Sequence, residues 1–353
     1  MISVKYPITF KAAILEKINS PLLLQDVTFD GPLDFGQVLV KLIASGICGK
    51  QIEEIQGIQG KDPYLPHMLG HEGVGIVVDV GPGVTMVQKG DHVIVTWIIG
   101  NGLDAKKPEY HIKNKKINAG PVTTFNEYCV VPENRVTAFK SDIRNIAYLS
   151  ILGCAVMTGI GVVINEAKVV PGATVAVVGC GGVGLNVIQG AVIAQSTKIY
   201  AIDKNNKSLQ IAAHLGATDI IDSSIDDIYL KMMELTDGEG TDYVFICAPS
   251  PKLIEIGAKI CSIPGFLYVV AVPPPNTTIS IDPLAIHRKM SLNGSCGGGS
   301  LPARDIPLLI EHINNGKLDL NSIITKIISL EDINEGIYSI MNGHPGRCII
   351  IFR

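Results

Sequence analysis

The spacing of apolar and polar positions divides the chain into two textures. From Phe10 to about Val95, short apolar runs such as Val38–Ile43, Val74–Val80 and His92–Val95 are separated by Gly, Pro and Asp. That rhythm predicts a β-rich domain of short strands and turns. From Pro171 onward, ATVAVVG, KIYAID, DYVFICA and FLYVVAV read as buried strands, spaced by segments such as Gly184–Gln195 and Lys207–Leu215 that read as helices. Alternating strands and helices predict a parallel, doubly wound sheet. After Gly294 the pattern gives helix Asp305–Asn314, strand Ile323–Ile328, helix Glu331–Met341 and terminal strand Arg347–Phe352. The run GSCGGGS and the prolines Pro273–Pro275 read as tight turns near a ligand or an interface.

A chain of 353 residues predicts two domains with a cleft between them. Hydrophobic residues make up 47% and charged ones 18%, enough apolar surface for two cores. The net charge of −4, without a polybasic run, argues against a nucleic-acid partner. Met1–Phe10 lacks the apolar core of a signal peptide, and no stretch reaches the ~18 apolar residues of a membrane span, so the expectation is a cytoplasmic protein. Eight cysteines in such a chain point to buried thiols or metal ligands rather than disulfides. Cys129, Cys247 and Cys348 sit in strand-like runs, where a cysteine acts as a small hydrophobe.

Two motifs carry the chemistry. In AVVGCGGVGLNVIQGA, Gly179, Gly181 and Gly184, with Gly182 and Val183 between them, follow a strand and open a helix. Gly179 permits the tight turn, Gly181 lets a pyrophosphate approach the backbone, and Gly184 lets helix and strand pack closely. Asp203 ends the next strand, about 20 residues further on, where a carboxylate meets the ribose hydroxyls and repels a 2′-phosphate. This favours NAD(H) over NADP(H), with Lys204 and Lys207 as the nearby groups able to meet a phosphate instead. The second motif is dispersed: Cys48 in SGICGKQIEE, His71 and Glu72 in LGHEGVG, and Cys154 in ILGCAVMTG. Two thiolates and an imidazole match a catalytic zinc site with one open position.

At these residues the sequence resembles the zinc alcohol dehydrogenases of the medium-chain dehydrogenase/reductase superfamily, from KAAILEK through GHE and GCGGVG to SLEDINEGIYSIMNG and GRCIIIF. The resemblance implies Cys48, His71 and Cys154 as ligands of one catalytic zinc, and Glu72 as a carboxylate able to approach the metal. It implies Thr158 and Arg347 as cofactor contacts and Trp97 as a wall of the substrate pocket. The implied α/β fold is a GroES-like catalytic domain, 1–155 completed by 297–353, around an inserted Rossmann domain, 156–296. A homodimer through the cofactor domain is the default, with TTISIDP a candidate contact.

The chain departs from that family twice. Many relatives hold a second, structural zinc with four cysteines after the strand that here reads DHVIVTW, but no cysteine lies between Cys48 and Cys129. The replacement, 98–118, is rich in lysine and predicts a loop rimming the cleft, with His111 facing water. Beside Cys48, Lys50 and Gln51 stand where relatives usually place Ser or Thr and often Asp, with Glu53 close by. These residues, with Ala119 and Gly120 where relatives often have bulky pocket residues, predict a polar small-molecule substrate. The resemblance sets Lys50 beside the reacting oxygen, as a proton-transfer group or as an anion grip. The leading reading is hydride transfer between NAD(H) and a secondary alcohol, polyol or sugar-like substrate. The alternatives are a carbonyl or activated C=C reductase that uses the metal weakly, and a non-catalytic NAD(H) sensor.

Overall fold

The computed structural model describes residues 4–58, 60–140 and 143–353, so the first three residues of Met1–Phe10 lie outside the described part. The chain divides into two units, Met1–Cys154 with Leu301–Asn315 and Ile324–Arg353, and Ala155–Ser300 with Gly316–Ile323. Segment 316–323, expected with the first domain, groups with the second, where the Gln189 side chain accepts the Asp319 N–H at 2.7 Å. Among the described residues no single helix is long and apolar enough to cross a membrane.

In the first unit, strand Gln37–Ile47 runs antiparallel to Glu72–Val80, Tyr128–Pro132 and Arg347–Ile351. Neighbours along both edges and cover on both faces bury most of it, so QVLVKLIASGI reads as an almost continuous apolar run rather than an alternating one. The terminal strand pairs Cys348 with Ile47, which brings the end of the chain to the residue before Cys48. A second sheet joins His67–Met68, Ile8–Leu15, Leu23–Phe29, Tyr110–Ile112 and Lys115–Ile117. The rings of Phe10, Phe29, Tyr110 and Tyr128 pack at centroid separations of 5.9 Å in its core.

The lysine-rich segment expected as a loop thus contains a short hairpin on that sheet. Three-residue strands flanked by exposed lysines carry no periodic signal, which is why the pattern did not reveal them. His111 meets Asp30 at 3.2 Å instead of facing water alone. The start of the segment is tied down by a buried carboxylate. Glu133 is 1% exposed and accepts the N–H groups of Thr85 and Met86 at 2.6 Å and of Leu103 at 2.8 Å. Burial alone would raise its pKa, but the three backbone donors outweigh that and hold the carboxyl below the usual range.

The second unit carries a six-stranded parallel sheet ordered Asp219–Asp222, Lys198–Asp203, Thr174–Val178, Thr241–Ile246, Cys261–Val269 and Met290–Gly294. The order reverses direction at Thr174–Val178, and in such sheets the ligand crevice opens beyond the strand ends at that switch. The two outermost strands were not legible in the hydrophobic pattern. They are four and five residues long and carry Asp, Ser and Asn, as edge strands commonly do.

Glu133→Gln replaces a three-acceptor carboxylate with an amide whose NH₂ must face backbone donors, so it should cost about 1–3 kcal/mol in urea unfolding at neutral pH. Because the folded pKa is depressed, this stabilisation is present above the unfolded value of about 4.3 and is lost as pH falls through the folded value. The gap between wild type and variant should therefore close in acid; a gap independent of pH would show that the carboxylate charge is not what fixes the segment.

Candidate active site

Strand Gln37–Ile47 ends at Cys48, whose extended backbone (φ −98°, ψ 148°) caps the short helix Gly49–Ile55. Gln51, in the first turn of that helix, is 2% exposed and accepts the Cys48 N–H at 3.1 Å through Oε1. The other end of its amide contacts Nδ1 of His71. Gln51, expected in the substrate pocket, thus bridges the Cys48 backbone and the His71 ring and bears on the orientation of that ring. Nδ1 being taken, Nε2 remains, buried and without a hydrogen-bond partner among the described residues.

His71 follows Gly70, which has φ +92° and sits where a Cβ would fall 2.4 Å from Thr124 Oγ1. Only glycine suits that turn. Cys154 closes a 3₁₀ run, Ile146–Gly153, that Thr96 anchors by donating Oγ1–H to the Gly153 carbonyl at 2.6 Å. Three separate stretches are thereby brought together, and the ligand atoms of Cys48, His71 and Cys154 all lie within 4.8 Å of one another.

Glu72 is fully buried beside them, with Oε1 3.3 Å from Arg347 Nη2, while Arg347 Nη1 donates to the Ile47 carbonyl at 3.0 Å. The structure therefore places Arg347, expected on the cofactor, against Glu72. Gly46 and Gly153 make room for this carboxylate: a Cβ on Gly46 would fall 2.4 Å from Glu72 Oε1, and one on Gly153 would fall 3.1 Å from Glu72 Cβ. Neither glycine, nor Thr96, stands out in the sequence, because each acts only through residues distant along the chain.

The electrostatics separate the thiols. A hydrogen bond from Cys154 lowers the Cys48 pKa well below its ordinary value; burial opposes this, while the charges of Arg347 and His71 add to it. Cys154 is pushed up by the same hydrogen bond and by burial, so the two thiols share one proton and the first charge settles on Cys48. Burial alone would lower His71, but the adjacent Cys48 and Glu72 raise it. By contrast, burial pushes Cys247 up to about 12 and Cys348 up to about 11, and raises Cys129 as well, leaving neutral thiols. Two soft sulfurs and an imidazole nitrogen, buried with a charge already on one sulfur, form a donor set that fits zinc.

Around the donors, the Trp97 ring stands 6.5 Å from the His71 ring at 71°, a T-shaped contact. Lys50 Nζ pairs with Glu53 Oε2 at 3.2 Å, with side-chain exposures of 36% and 17%. Ala119 packs against the core cluster that contains Phe10 and Met68.

In the second unit the glycine loop leads into helix Gly182–Ile193. Gly179 has φ +100°, and a Cβ on Gly184 would fall 1.8 Å from the Gly179 carbonyl oxygen, so neither position tolerates a side chain. Around Gly181 nothing lies within 4 Å of a Cβ position, an open cradle over a helix N-terminus that fits a pyrophosphate. Asp203 Oδ2 accepts the Cys180 N–H at 2.6 Å and Oδ1 accepts the Asn205 N–H at 2.8 Å, fixing the carboxylate beside the loop. Lys204 and Lys207 are exposed. Thr158 is 7% exposed in helix Ala155–Gly161, with a buried hydroxyl.

Comparison with known proteins settles the family. Residues 34–141 match the alcohol dehydrogenase GroES-like domain and 182–315 the zinc-binding dehydrogenase family. The chain is 33% identical to the alcohol dehydrogenase class-3 of Cereibacter sphaeroides, over 97% of this chain and 99% of that protein. The chain belongs to the zinc-containing alcohol dehydrogenases. It is also 31% identical to S-(hydroxymethyl)glutathione dehydrogenase of Paracoccus denitrificans, over 97% and 99% of the two chains. The benzyl alcohol dehydrogenase of Acinetobacter calcoaceticus superposes with a TM-score of 0.88 at 26% identity, covering 98% of this chain and all of that one. As an alcohol dehydrogenase of this family it is an NAD(H)-linked enzyme that uses zinc, with the GroES-like and Rossmann folds expected.

Purified over a chelating resin, this alcohol dehydrogenase should retain one zinc per chain by elemental analysis. Cys48→Ala should abolish that zinc while NADH binding, followed by fluorescence, stays within about twofold. Gln51→Leu should weaken zinc retention ~10–100-fold by freeing the His71 ring. Unchanged zinc affinity in Gln51→Leu would remove it from this role.

Proposed function

We propose that the enzyme oxidises a polar secondary alcohol, a polyol or sugar-like molecule, or reduces the matching ketone, with Cys48, His71 and Cys154 holding zinc and the Gly179–Gly184 loop and Asp203 holding NAD(H). The observation that carries this reading is the partly exposed Lys50–Glu53 pair close after Cys48, which an apolar alcohol would strip of water without offering either charge a polar partner. When bound, zinc supplies a Lewis acid at the substrate oxygen and NAD(H) accepts or donates the hydride.

The chain's own residues do the rest. Gln51 holds His71 in one ring orientation, and Arg347 pairs with the buried Glu72 carboxylate. Trp97 gives one apolar wall beside His71 and limits water there. Lys50 and Glu53 meet the polar groups of the substrate, either by proton exchange at Lys50 Nζ or by electrostatic grip. Thr158 lies in the unit that carries the glycine loop, which supports a role near the cofactor. The relative from Paracoccus denitrificans is named for S-(hydroxymethyl)glutathione, an anionic adduct. Lys50 and the lysines at 106, 107, 113, 115 and 116 favour such an anion as the second reading.

We further read the enzyme as a cytoplasmic homodimer. The eight cysteines are all free, as a reducing compartment requires, and exposed Ile279, Leu284, Ile286 and Leu292 cluster in sequence around the edge strand Met290–Gly294 of the cofactor unit. Light scattering giving a monomer at micromolar concentration would overturn the dimer.

The substrate reading is tested by following NADH with polyols, ketoses, S-(hydroxymethyl)glutathione and benzyl alcohol; a preference for benzyl alcohol over every polar substrate would refute it. NADP(H) should be poorer than NAD(H) by roughly 10- to 150-fold in kcat/KM, because Asp203 faces the added phosphate, a penalty of ~1–3 kcal/mol. Lys50→Ala distinguishes its two roles: loss of proton transfer lowers kcat by roughly 10²–10⁴ for all substrates, whereas loss of a grip raises KM for anions alone. Normal kinetics with every substrate would take Lys50 out of the site.

A further inference from the structure

The helix that follows Cys48 also carries one member of a second cluster. Glu54, near its C-terminus, comes together with Asp62 and His67, and their ligand atoms also lie within 4.8 Å of one another. His67 is the decisive member, with only 8% of its side chain exposed. Its Nδ1 lies 3.0 Å from the Met68 carbonyl. A carbonyl only accepts, so Nδ1 carries the proton and, in the neutral ring, Nε2 presents a bare lone pair. That lone pair points at Asp62 Oδ2, 2.8 Å away, with Glu54 Oε1 at 3.9 Å.

Two lone pairs at hydrogen-bonding distance repel unless a cation stands with them. Either a second proton on His67 fills that role or a metal ion does. The surroundings favour the metal, since two carboxylates converge where a single proton would satisfy one. Asp62 is held in this pose because its other oxygen accepts the Tyr64 N–H at 2.8 Å, so the donor aimed at His67 is set by the backbone. Burial raises the Glu54 pKa; the His67 ring opposes this, while the Asp62 charge adds to it. A divalent ion would relieve that crowding. Glu54 is 40% exposed and leaves a path for an ion from solvent.

We propose that Glu54, Asp62 and His67 form a second metal site, separate from the Cys48–His71–Cys154 group, that takes a divalent first-row ion reversibly. One nitrogen and two carboxylates are harder donors than two thiolates, so the site accepts Mn²⁺ or Co²⁺ as well as zinc, manganese the most weakly, and completes its shell with water. It would tie helix Gly49–Ile55 to the segment 62–68 and so brace the helix that carries Gln51. With three protein ligands and open positions it should exchange with solution, whereas the thiolate site retains its zinc.

The probe is Mn²⁺ added to the zinc-loaded holoenzyme, read by the loss of the free-ion EPR signal, since thiolates discriminate against manganese. Wild type should take up one Mn²⁺ per chain with half-saturation below about a millimolar. Asp62→Asn, which keeps the acceptor for Tyr64, and the partly exposed Glu54→Gln should each weaken uptake at least ~tenfold without displacing zinc or altering NADH binding. No uptake by wild type at several times that concentration would assign the contact to a protonated His67 ion pair and overturn the site. Wild-type uptake by either variant would place the ion elsewhere and overturn it equally.

Discussion

Arg347 and Glu72 form a fully buried charge pair on which the arrangement of the first unit turns. Glu72 opens one strand, Arg347 opens the terminal strand, and the second guanidinium nitrogen binds the Ile47 carbonyl at the end of a third. Removing either partner would leave the other charge buried and unpaired, at a cost of about 3–5 kcal/mol. The Arg347 guanidinium thus ties the terminal strand both to the Glu72 strand and to the end of the strand that leads to Cys48. The site needs the C-terminal end of the chain even though none of the ligand cysteines lies there. Gly46 and Gly153 follow from the same constraint, because only their missing side chains let the carboxylate lie between them.

That charge also explains why identical residues behave differently. Cys129, Cys247 and Cys348 are thiols in apolar surroundings, and burial keeps them protonated and inert. Cys48 is partly exposed and has a thiol donor, a guanidinium and an imidazole around it. In the cofactor unit, geometry does what charge does here. Contact between Gly184 and the Gly179 carbonyl bends the chain at the helix N-terminus, and open space at Gly181 leaves the amides facing outward.

How much of this was legible depended on distance along the chain. The strands of the doubly wound sheet, the glycine loop and Asp203 announce themselves because each is a local pattern with a fixed spacing. The three zinc ligands stood out by residue type and by resemblance. What escaped were pairings between distant positions: Glu133 fixing Leu103, Arg347 against Glu72, and Gln51 against His71. Edge strands such as Asp219–Asp222 escaped for another reason, since a short strand with one covered face has too few residues to show a period.

Gln51 and Lys50 are the departures closest to the chemistry, and a charge count gives the first of them a physical meaning. With both thiols ionised, Cys48, Cys154 and Glu72 contribute three negative charges and Arg347 one positive charge, leaving a deficit that one divalent ion closes. A carboxylate at position 51, against His71, would add a further negative charge where, among the described residues, Arg347 is the one buried Lys or Arg. The neutral amide orients the ring through the same contact without that charge. Lys50, one residue earlier on the helix, turns instead toward Glu53 and solvent, so its charge is balanced outside the buried group. One short helix thus carries a neutral, buried residue at 51 against a metal ligand and a partly exposed charged pair at 50 and 53.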